Sequence, residues 1–302
     1  IAIIAITFGI FQVLPSGDPA KLRAGKAPTA DSIQNIREQL GLDQPLYKRF
    51  LDYNEDLFLH FDFNKSFVTN QDVRETMFDR LPNTMFLVFG AAIIWFAAGV
   101  LIGTVSAARP GSLADRLLMG LSLVAISAPV YWLGLICLYL FSDDIGLVGI
   151  FPGAGSYQEA GSIFEKAWTL VLPWLVLSAS FAAIYARLLR SNLIEVLGED
   201  YIRTARAKGL PERQVIVRHG VRSAITPVVT VLGLDIGILM GGAILTETVF
   251  NIDGIGRLSY DAIQRADLMT IQGTTVLLAV AVALSSLIVD VLYAFLDPRV
   301  RY

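Results

Sequence analysis

The residue with the clearest potential for chemistry is a carboxylate inside an apolar run. Asp235 is the only charged residue in the stretch 224–245. A carboxylate near the middle of a membrane is costly unless it is paired or hydrated, so we expect Asp235 to face a bundle interior or a hydrophilic cavity. Two roles fit this position. It binds the amine of a solute or lines a cavity, or it makes a structural hydrogen bond or ion pair.

Little in the sequence indicates nucleophilic catalysis, metal binding or nucleotide binding. The chain has one cysteine, Cys137, and two histidines, His60 and His219, which are far apart in sequence. This set makes no intramolecular disulfide and no multi-thiolate zinc site. The Gly-x4-Gly-Lys-Ser/Thr phosphate loop is also missing from the 302 residues. We therefore expect no catalytic residue, no metal and no cofactor bound by this chain.

The composition is that of a membrane protein. Hydrophobic residues make up 54% of the chain and charged residues 17%, whereas soluble domains carry about 25% charged residues. Apolar segments of about 20 residues are long enough to cross a hydrocarbon core of about 30 Å. The 24 basic residues nearly balance the 27 acidic ones, which gives no indication of nucleic-acid binding. The sequence predicts an all-α integral membrane protein in contact with lipid.

Six transmembrane helices are predicted, and the first is truncated. It covers 1–14, for which the apolar core of a secretory signal is the alternative. The remaining spans are predicted at 83–108, 117–141, 169–189, 224–245 and 271–296. We expect Pro82 in the first turn of the second span and a kink at Ser127-Ala128-Pro129 in the third.

Charge predicts the orientation. The segments 107–116, 187–222 and 297–302 hold twelve Lys/Arg against six Asp/Glu, and acids exceed bases in the other connections. The positive-inside rule then places both termini in the cytoplasm. The predicted organisation is a truncated helix at 1–14, an external helical cap at 15–81, spans two to four in 82–186, a cytoplasmic loop at 187–222, and the last two spans with an external loop in 223–302.

Two helical patterns stand out in the connections. In the cap, apolar residues recur at helical spacing over 31–40 and 46–59. The cytoplasmic loop is helical in pattern up to Gly209, which suits a left-handed C-cap, and Pro211 then opens a second helix. Small residues in that loop would let another protein approach closely. The alternative is a solvated basic connection.

The loop resembles the ATPase-docking loop of permeases in bacterial ABC importers. Further motifs fit the peptide and nickel branch of that family, in the right order over nearly the whole chain: Gly17-Asp18-Pro19, Leu40-Gly41-Leu42-Asp43-Gln44-Pro45, Arg80-Leu81-Pro82-Asn83-Thr84, Asp200–Gly209, Arg218-His219, Glu247-Thr248-Val249-Phe250, Gly254-Ile255-Gly256 and Leu296–Tyr302. The chain is similar to the first, "B"-type permease of di- and oligopeptide importers. It departs from the family where Arg203-Thr204-Ala205 replaces Glu-Ala-Ala, and where Ile252-Asp253 precedes Gly254 in place of a common proline.

The resemblance implies a type I importer permease in the bacterial cytoplasmic membrane. A second permease subunit would complete a heterodimeric pore, and two ATPase subunits or one fused ATPase would bind ATP and Mg²⁺. An extracytoplasmic binding protein would deliver short peptides. Nickel or another small solute is the alternative cargo, and an ion-coupled secondary transporter is the alternative class.

The resemblance and the residue patterns assign roles to four groups. ATPase coupling falls to Asp200, Tyr201, Arg203, Thr204, Ala205, Arg206, Ala207, Lys208 and Gly209, with Ala205 and Gly209 expected closest to the ATPase. The translocation cavity is assigned Asp235, Ser127 and Pro129. Gate or binding-protein contact is assigned Glu247, Phe250, Gly254 and Gly256, for which an ordinary turn is the alternative. Helix packing falls to Gly233, Gly237 and Gly241, a small-xxx-small stripe. Asp290 is expected to pair with Arg187 or Arg190.

Overall fold

The computed structural model describes residues 5–6, 8–9, 29–39, 43–66 and 68–296. The predicted first span at 1–14 lies largely outside these ranges, and so do the motif at 17–19 and the closing residues 297–302. The described chain is nearly all-helical, which confirms the predicted all-α class.

The described helices are numbered here in chain order. They are α1 (Ala30–Gln39), α2 (Leu46–Glu55, followed by a π-helical turn at Asp56–His60), α3 (Val73–Ala108), α4 (Leu113–Ser127), α5 (Val130–Phe141), α6 (Ser156–Glu159), α7 (Ile163–Leu197), α8 (Asp200–Ala207), α9 (Glu212–Ala224), α10 (Thr226–Met240), α11 (Ile244–Val249), α12 (Ile255–Gln264) and α13 (Leu268–Leu296). The first two agree with the helical patterns predicted over 31–40 and 46–59.

Three of these helices are long and apolar enough to cross a membrane, namely α3, α7 and α13. Two bent pairs, α4 with α5 and α9 with α10, raise the number to as many as five in the part of the chain that the structure describes. The remaining predicted span is the first one, the truncated helix at 1–14, and the total of six spans therefore stays a prediction.

The long helices extend beyond the apolar segments that predict them. Helix α3 begins ten residues before the predicted span, because the Asp72 side chain caps its first turn by accepting the Glu75 N–H at 3.2 Å. Pro82 therefore lies inside the helix, and its predicted place in the first turn is wrong. Helix α7 likewise starts at a capping box of Ser162 and Glu165. Capped polar turns extend helices that hydropathy alone would end.

Two predicted spans are broken. The chain bends by 102° between α4 and α5 at Ala128-Pro129, so the expected kink is a complete break. Proline disfavours the helical conformation of the residue before it, and Ala128 is accordingly extended. Helix α10 ends at Met240, and Gly242 follows with φ +121°, a conformation that favours glycine.

The core lies between α3 and α7, which pack along much of their length. Trp95 and Leu87 of α3 and Tyr185 and Leu189 of α7 are fully buried there. The helices approach at backbone distance, since a Cβ added at Gly103 would lie 2.7 Å from the Ala186 carbonyl oxygen. Helix α10 packs on α13 as a second pair.

Candidate functional site

The coupling loop, residues 187–222, contains the short helix α8 between the end of α7 and the start of α9. Gly209 follows α8 with φ +77°, which is the left-handed turn predicted for it. Pro211 then occupies the N-cap position of α9. The loop is therefore an ordered helix–turn–helix, and this geometry determines which side of α8 is accessible.

One side of α8 packs on the loop itself. Ile202, Ala205 and Val215 form a small apolar core to which Leu197 at the end of α7 adds contacts. Ala205 is only 7% exposed. The expectation that Ala205 lies closest to a partner stays a prediction, and within this chain α9 folds back over the side of the helix that carries it.

Most of the remaining surface of α8 is exposed. Tyr201 retains 46% of its surface, and Thr204 and Lys208 are also exposed. Spacings of three and four residues place these three side chains along one edge of the helix, next to the buried Ala205, and we call this exposed edge the coupling face. The other exposed residues assigned to coupling are Asp200, Arg203, Arg206, Ala207 and Gly209.

Arg206 ties the loop together. Its Nη2 lies 2.7 Å from Glu212 Oε1 and its Nε 3.1 Å from Glu212 Oε2, a two-point contact between α8 and α9. Its Nη1 also donates to the Leu197 carbonyl at 3.4 Å. Paired guanidinium–carboxylate bonds of this kind fix orientation as well as distance. Arg206 is thus part of the frame that presents the coupling face.

A second ion pair anchors α7 to the first turn of α4. Arg190 Nε and Nη2 contact the two Asp115 carboxylate oxygens at 2.7 and 2.8 Å. Asp115 also accepts from the Ser106 hydroxyl and from the Gly111 N–H. Asp290 was expected to pair with Arg187 or Arg190. Arg190 pairs with Asp115, and the side chain of Asp290 lies outside the described residues.

Asp235 contacts the buried core between α3 and α7. The Tyr185 hydroxyl donates to Asp235 Oδ2 at 2.7 Å, and Tyr185 has no exposed surface. No basic side chain pairs with Asp235 within the described ranges. Ser127 and Pro129, assigned to the same cavity, instead line an open apolar surface at the break between α4 and α5. Within this chain the structure does not bring them to Asp235.

The glycine stripe of α10 faces α13. A Cβ at Gly233 would overlap the Val289 side chain, and one at Gly241 would overlap Leu278. At Gly237 it would lie 2.8 Å from Ser285 Cβ. The helix that approaches this stripe so closely belongs to the same chain.

Three segments meet around Glu247 in what we call the gate junction, formed by Asn83, Thr84, Glu247 and residues 253–257. Glu247 and Thr84 have no exposed surface. The Thr84 hydroxyl donates to Glu247 Oε1 at 2.8 Å, and the Arg257 N–H donates to Oε2 at 2.8 Å. Burial raises the pKa of the Glu247 carboxyl, and these hydrogen bonds oppose that shift.

The glycines of the junction make room for these contacts. A Cβ at Gly254 would overlap the Glu247 carboxylate, and one at Gly256 would lie 2.9 Å from Gly242 Cα. Asn83 Nδ2 donates to the Asp253 carbonyl at 2.7 Å, which adds a second contact from α3. The backbone of this loop is therefore held from several sides.

The four residues assigned to the gate, Glu247, Phe250, Gly254 and Gly256, are all buried in the chain. Their side chains hold the loop in place and are not accessible to a partner. Asn251, Asp253 and Arg257, in contrast, lie on the accessible side of the loop. Sequence reasoning missed the roles of Asn83 and Thr84. The motif Arg80–Thr84 was the available signal, but nothing in it identified a partner.

Comparison with known proteins covers nearly the whole chain. Residues 99–302 match the family described as binding-protein-dependent transport system inner membrane component, and residues 1–88 match the N-terminal domain of such membrane components. The glutathione transport system permease protein GsiC of Salmonella typhimurium is 40% identical over 300 residues, which is 99% of this chain and 94% of that protein. Its counterpart from Escherichia coli strain K12 is 38% identical over the same shares.

These matches establish the type I permease fold, transport in place of catalysis and a place in the membrane. They also agree with the predicted resemblance to the peptide branch of importer permeases. The chain belongs to the family of binding-protein-dependent inner membrane components, the permeases of ABC importers.

Proposed function

We propose that this chain forms half of the translocation pathway of an ATP-driven importer of short peptides. Its relatives named as glutathione transport system permeases support this cargo class, because glutathione is itself a tripeptide. A second permease subunit forms the other half, and partner ATPase subunits hydrolyse ATP with Mg²⁺. An extracytoplasmic binding protein delivers the peptide.

The observation that carries the proposal is the exposed coupling face on an ordered loop. Tyr201, Thr204 and Lys208 present an aromatic ring, a hydroxyl and a charge, while the loop's own core holds the adjacent side of the helix. This arrangement fits a helix that seats in a groove of the ATPase. With this face in the cytoplasm, both termini are cytoplasmic and the gate junction is external.

Helix α7 connects the coupling loop to the membrane interior. It is continuous over 35 residues, from Ile163 to Leu197. Arg206 ties α8 to its last residue, and Arg190 and Tyr185 lie about two and three turns further back. A displacement of α8 by the ATPase is thereby transmitted along one rigid element to Tyr185 and Asp235.

Asp235 is the residue that we assign to the peptide pathway. Tyr185 occupies Oδ2, and no basic side chain in the described chain pairs with the carboxylate, so Oδ1 is free to receive the protonated amine of a peptide. In this role the negative charge of the carboxylate is balanced by the amine of the peptide and hydrated by water in the cavity, as a charge inside the membrane requires. Ser127 and Pro129 line the same pathway only where the second subunit completes it.

Uptake into proteoliposomes tests the function. The chain is reconstituted with its sister permease, ATPase and binding protein, and uptake of labelled di-, tri- and pentapeptides and of glutathione is compared with that of nickel. We expect ATP-dependent uptake of peptides that requires the binding protein. Uptake of nickel alone would contradict the peptide assignment.

A coupling variant tests the mechanism in the same vesicles. Thr204→Trp places a bulky ring on the coupling face without entering the loop core, and Thr204→Ser is its conservative control. We expect Thr204→Trp to lose both uptake and stimulated ATP hydrolysis while the complex still assembles. Full stimulation with normal uptake would show that the loop is only a solvated connection.

A further inference from the structure

Two motifs that are distant in the sequence share one hydroxyl group. Thr84 lies on α3 and Glu247 on α11, 163 residues later. The Thr84 hydroxyl donates to Glu247 Oε1 and accepts from the Ile255 N–H, each at 2.8 Å. All three residues are fully buried. This single hydroxyl therefore joins α3, α11 and the first turn of α12.

The junction is shaped around the Glu247 carboxylate. Gly254 leaves the space that the carboxylate occupies, and a Cβ at Gly256 would lie 3.0 Å from Glu247 Oε2. The Arg257 side chain does not neutralise this acid, since it turns to Asp253 at 3.5 Å and to Asn251. Only the Arg257 backbone N–H reaches the carboxylate. A carboxylate at the start of α12 is also favourably placed in the field of that helix.

The accessible side of the same loop borders a polar recess. Asn251, Asp253 and Arg257 line this recess of about 450 Å³ together with residues 154–156, Gln158 and Glu159. Gln158 Nε2 donates to the Asn251 carbonyl at 2.6 Å, so the two walls are joined. The recess carries both charges and hydrogen-bonding groups, which is the chemistry of a polar protein interface.

We propose that Thr84 and Glu247 are positioning residues that hold this recess in the shape to which the binding protein docks. They touch neither the peptide nor the binding protein, and they act by fixing the backbone of residues 253–257. The members of this family depend on a binding protein, and the proposed orientation places the loop on the external side. Both point to the binding protein as the partner that docks at the recess. The inference therefore rests on the proposed function.

The test is a titration with the peptide-loaded binding protein. The complete complex is reconstituted, and ATP hydrolysis is recorded against the concentration of binding protein. The half-saturating concentration then reports docking, and the maximal rate reports coupling. A residue that acts only on overall stability lowers the amount of active complex and the maximal rate, but leaves the half-saturating concentration unchanged.

Thr84→Val keeps the size of the side chain and removes both hydrogen bonds. It leaves the Ile255 N–H and Glu247 Oε1 unpaired, so the docking-competent loop is less populated and apparent affinity falls with it. We expect the half-saturating concentration to rise roughly tenfold at an unchanged maximal rate, and Thr84→Ser to restore it. Thr104→Val on the same helix is the matched control, because the buried Thr104 hydroxyl has no hydrogen-bond partner in the described chain.

A half-saturating concentration equal to that of Thr104→Val would overturn the proposal, and so would a loss of maximal rate alone. If Thr84→Val does not assemble, Arg257→Ala decides, because it removes only the contacts to Asn251 and Asp253 at the recess. An unchanged value in Arg257→Ala overturns the proposal. Absence of any stimulation in the parent complex would instead contradict the proposed function.

Discussion

The coupling loop and the gate junction use polar groups in opposite ways. The coupling loop is held by an apolar core against one side of α8 and leaves Thr204 and Lys208 in solvent. The gate junction buries Thr84 and Glu247 and uses their hydrogen bonds internally. An exposed ion pair contributes about 0–1 kcal/mol, whereas leaving a buried polar group unpaired costs about 1–3 kcal/mol. Polar substitutions should therefore affect the gate junction more than the coupling loop.

The largest expected effect is a side chain placed against the Glu247 carboxylate. Gly254→Leu fills the space that the carboxylate occupies, so we expect a loss of at least about 3 kcal/mol and little assembled complex. The yield and melting temperature of the purified complex measure this. Gly120→Leu is the matched control, because a Cβ at Gly120 meets nothing within 4 Å. Equal yields of the two variants would show that the space around the Glu247 carboxylate is not needed for stability.

The next effect is on the buried side of the coupling loop. Ala205→Trp overfills the core formed with Ile202 and Val215, and overpacking typically costs about 1–3 kcal/mol. We expect α8 to be displaced, with faster proteolysis of the loop and loss of stimulated ATP hydrolysis in an otherwise assembled complex. A loop that resists protease as the parent does would show that Ala205 is accessible after all.

Asp235 lies between the two regions and should change transport more than stability. Asp235→Asn keeps an acceptor for the Tyr185 hydroxyl but removes the charge. We expect the half-saturating peptide concentration for uptake to rise roughly tenfold, about 1.4 kcal/mol, and the melting temperature to change little. Peptides with an acetylated amino terminus should be insensitive to the substitution. Uptake kinetics equal to those of the parent would show that Asp235 has only a structural role.

The smallest effect is expected at the surface of the coupling loop. Arg206→Ala removes the exposed pair with Glu212 and the contact to the Leu197 carbonyl. Because the pair is exposed, the loss of stability should not exceed about 1 kcal/mol. Thermal unfolding compared with that of Glu212→Ala measures it, and the double variant should add nothing further. A cost as large as that of Gly254→Leu would contradict the ranking.

The sequence was sufficient for the class, the family and the local turns. Apolar length predicts the long helices, and the helix–glycine–proline pattern predicts the left-handed turn at Gly209. These features depend on local conformation and on hydropathy, which the sequence expresses directly. Motifs spread over the chain likewise suffice to indicate the family.

Contacts between distant residues, and one helix cap, account for what could not be predicted from the sequence. Ala205 is small, as a helix at an interface requires, but α9 folds back and buries it. Asp72 caps α3 well before the apolar segment, so Pro82 lies inside the helix. Glu247 finds its partner Thr84 on a helix 163 residues earlier, and no local pattern encodes that distance.

Site-directed cross-linking to the ATPase tests the central claim most directly. With Cys137 replaced by serine, single cysteines are introduced as Thr204→Cys, Lys208→Cys and Ala205→Cys, and a short bifunctional reagent is applied to the assembled complex. We expect efficient cross-links from Thr204→Cys and Lys208→Cys and little from the buried position of Ala205→Cys. Cross-linking from Ala205→Cys that equals or exceeds that from Thr204→Cys would contradict the claim.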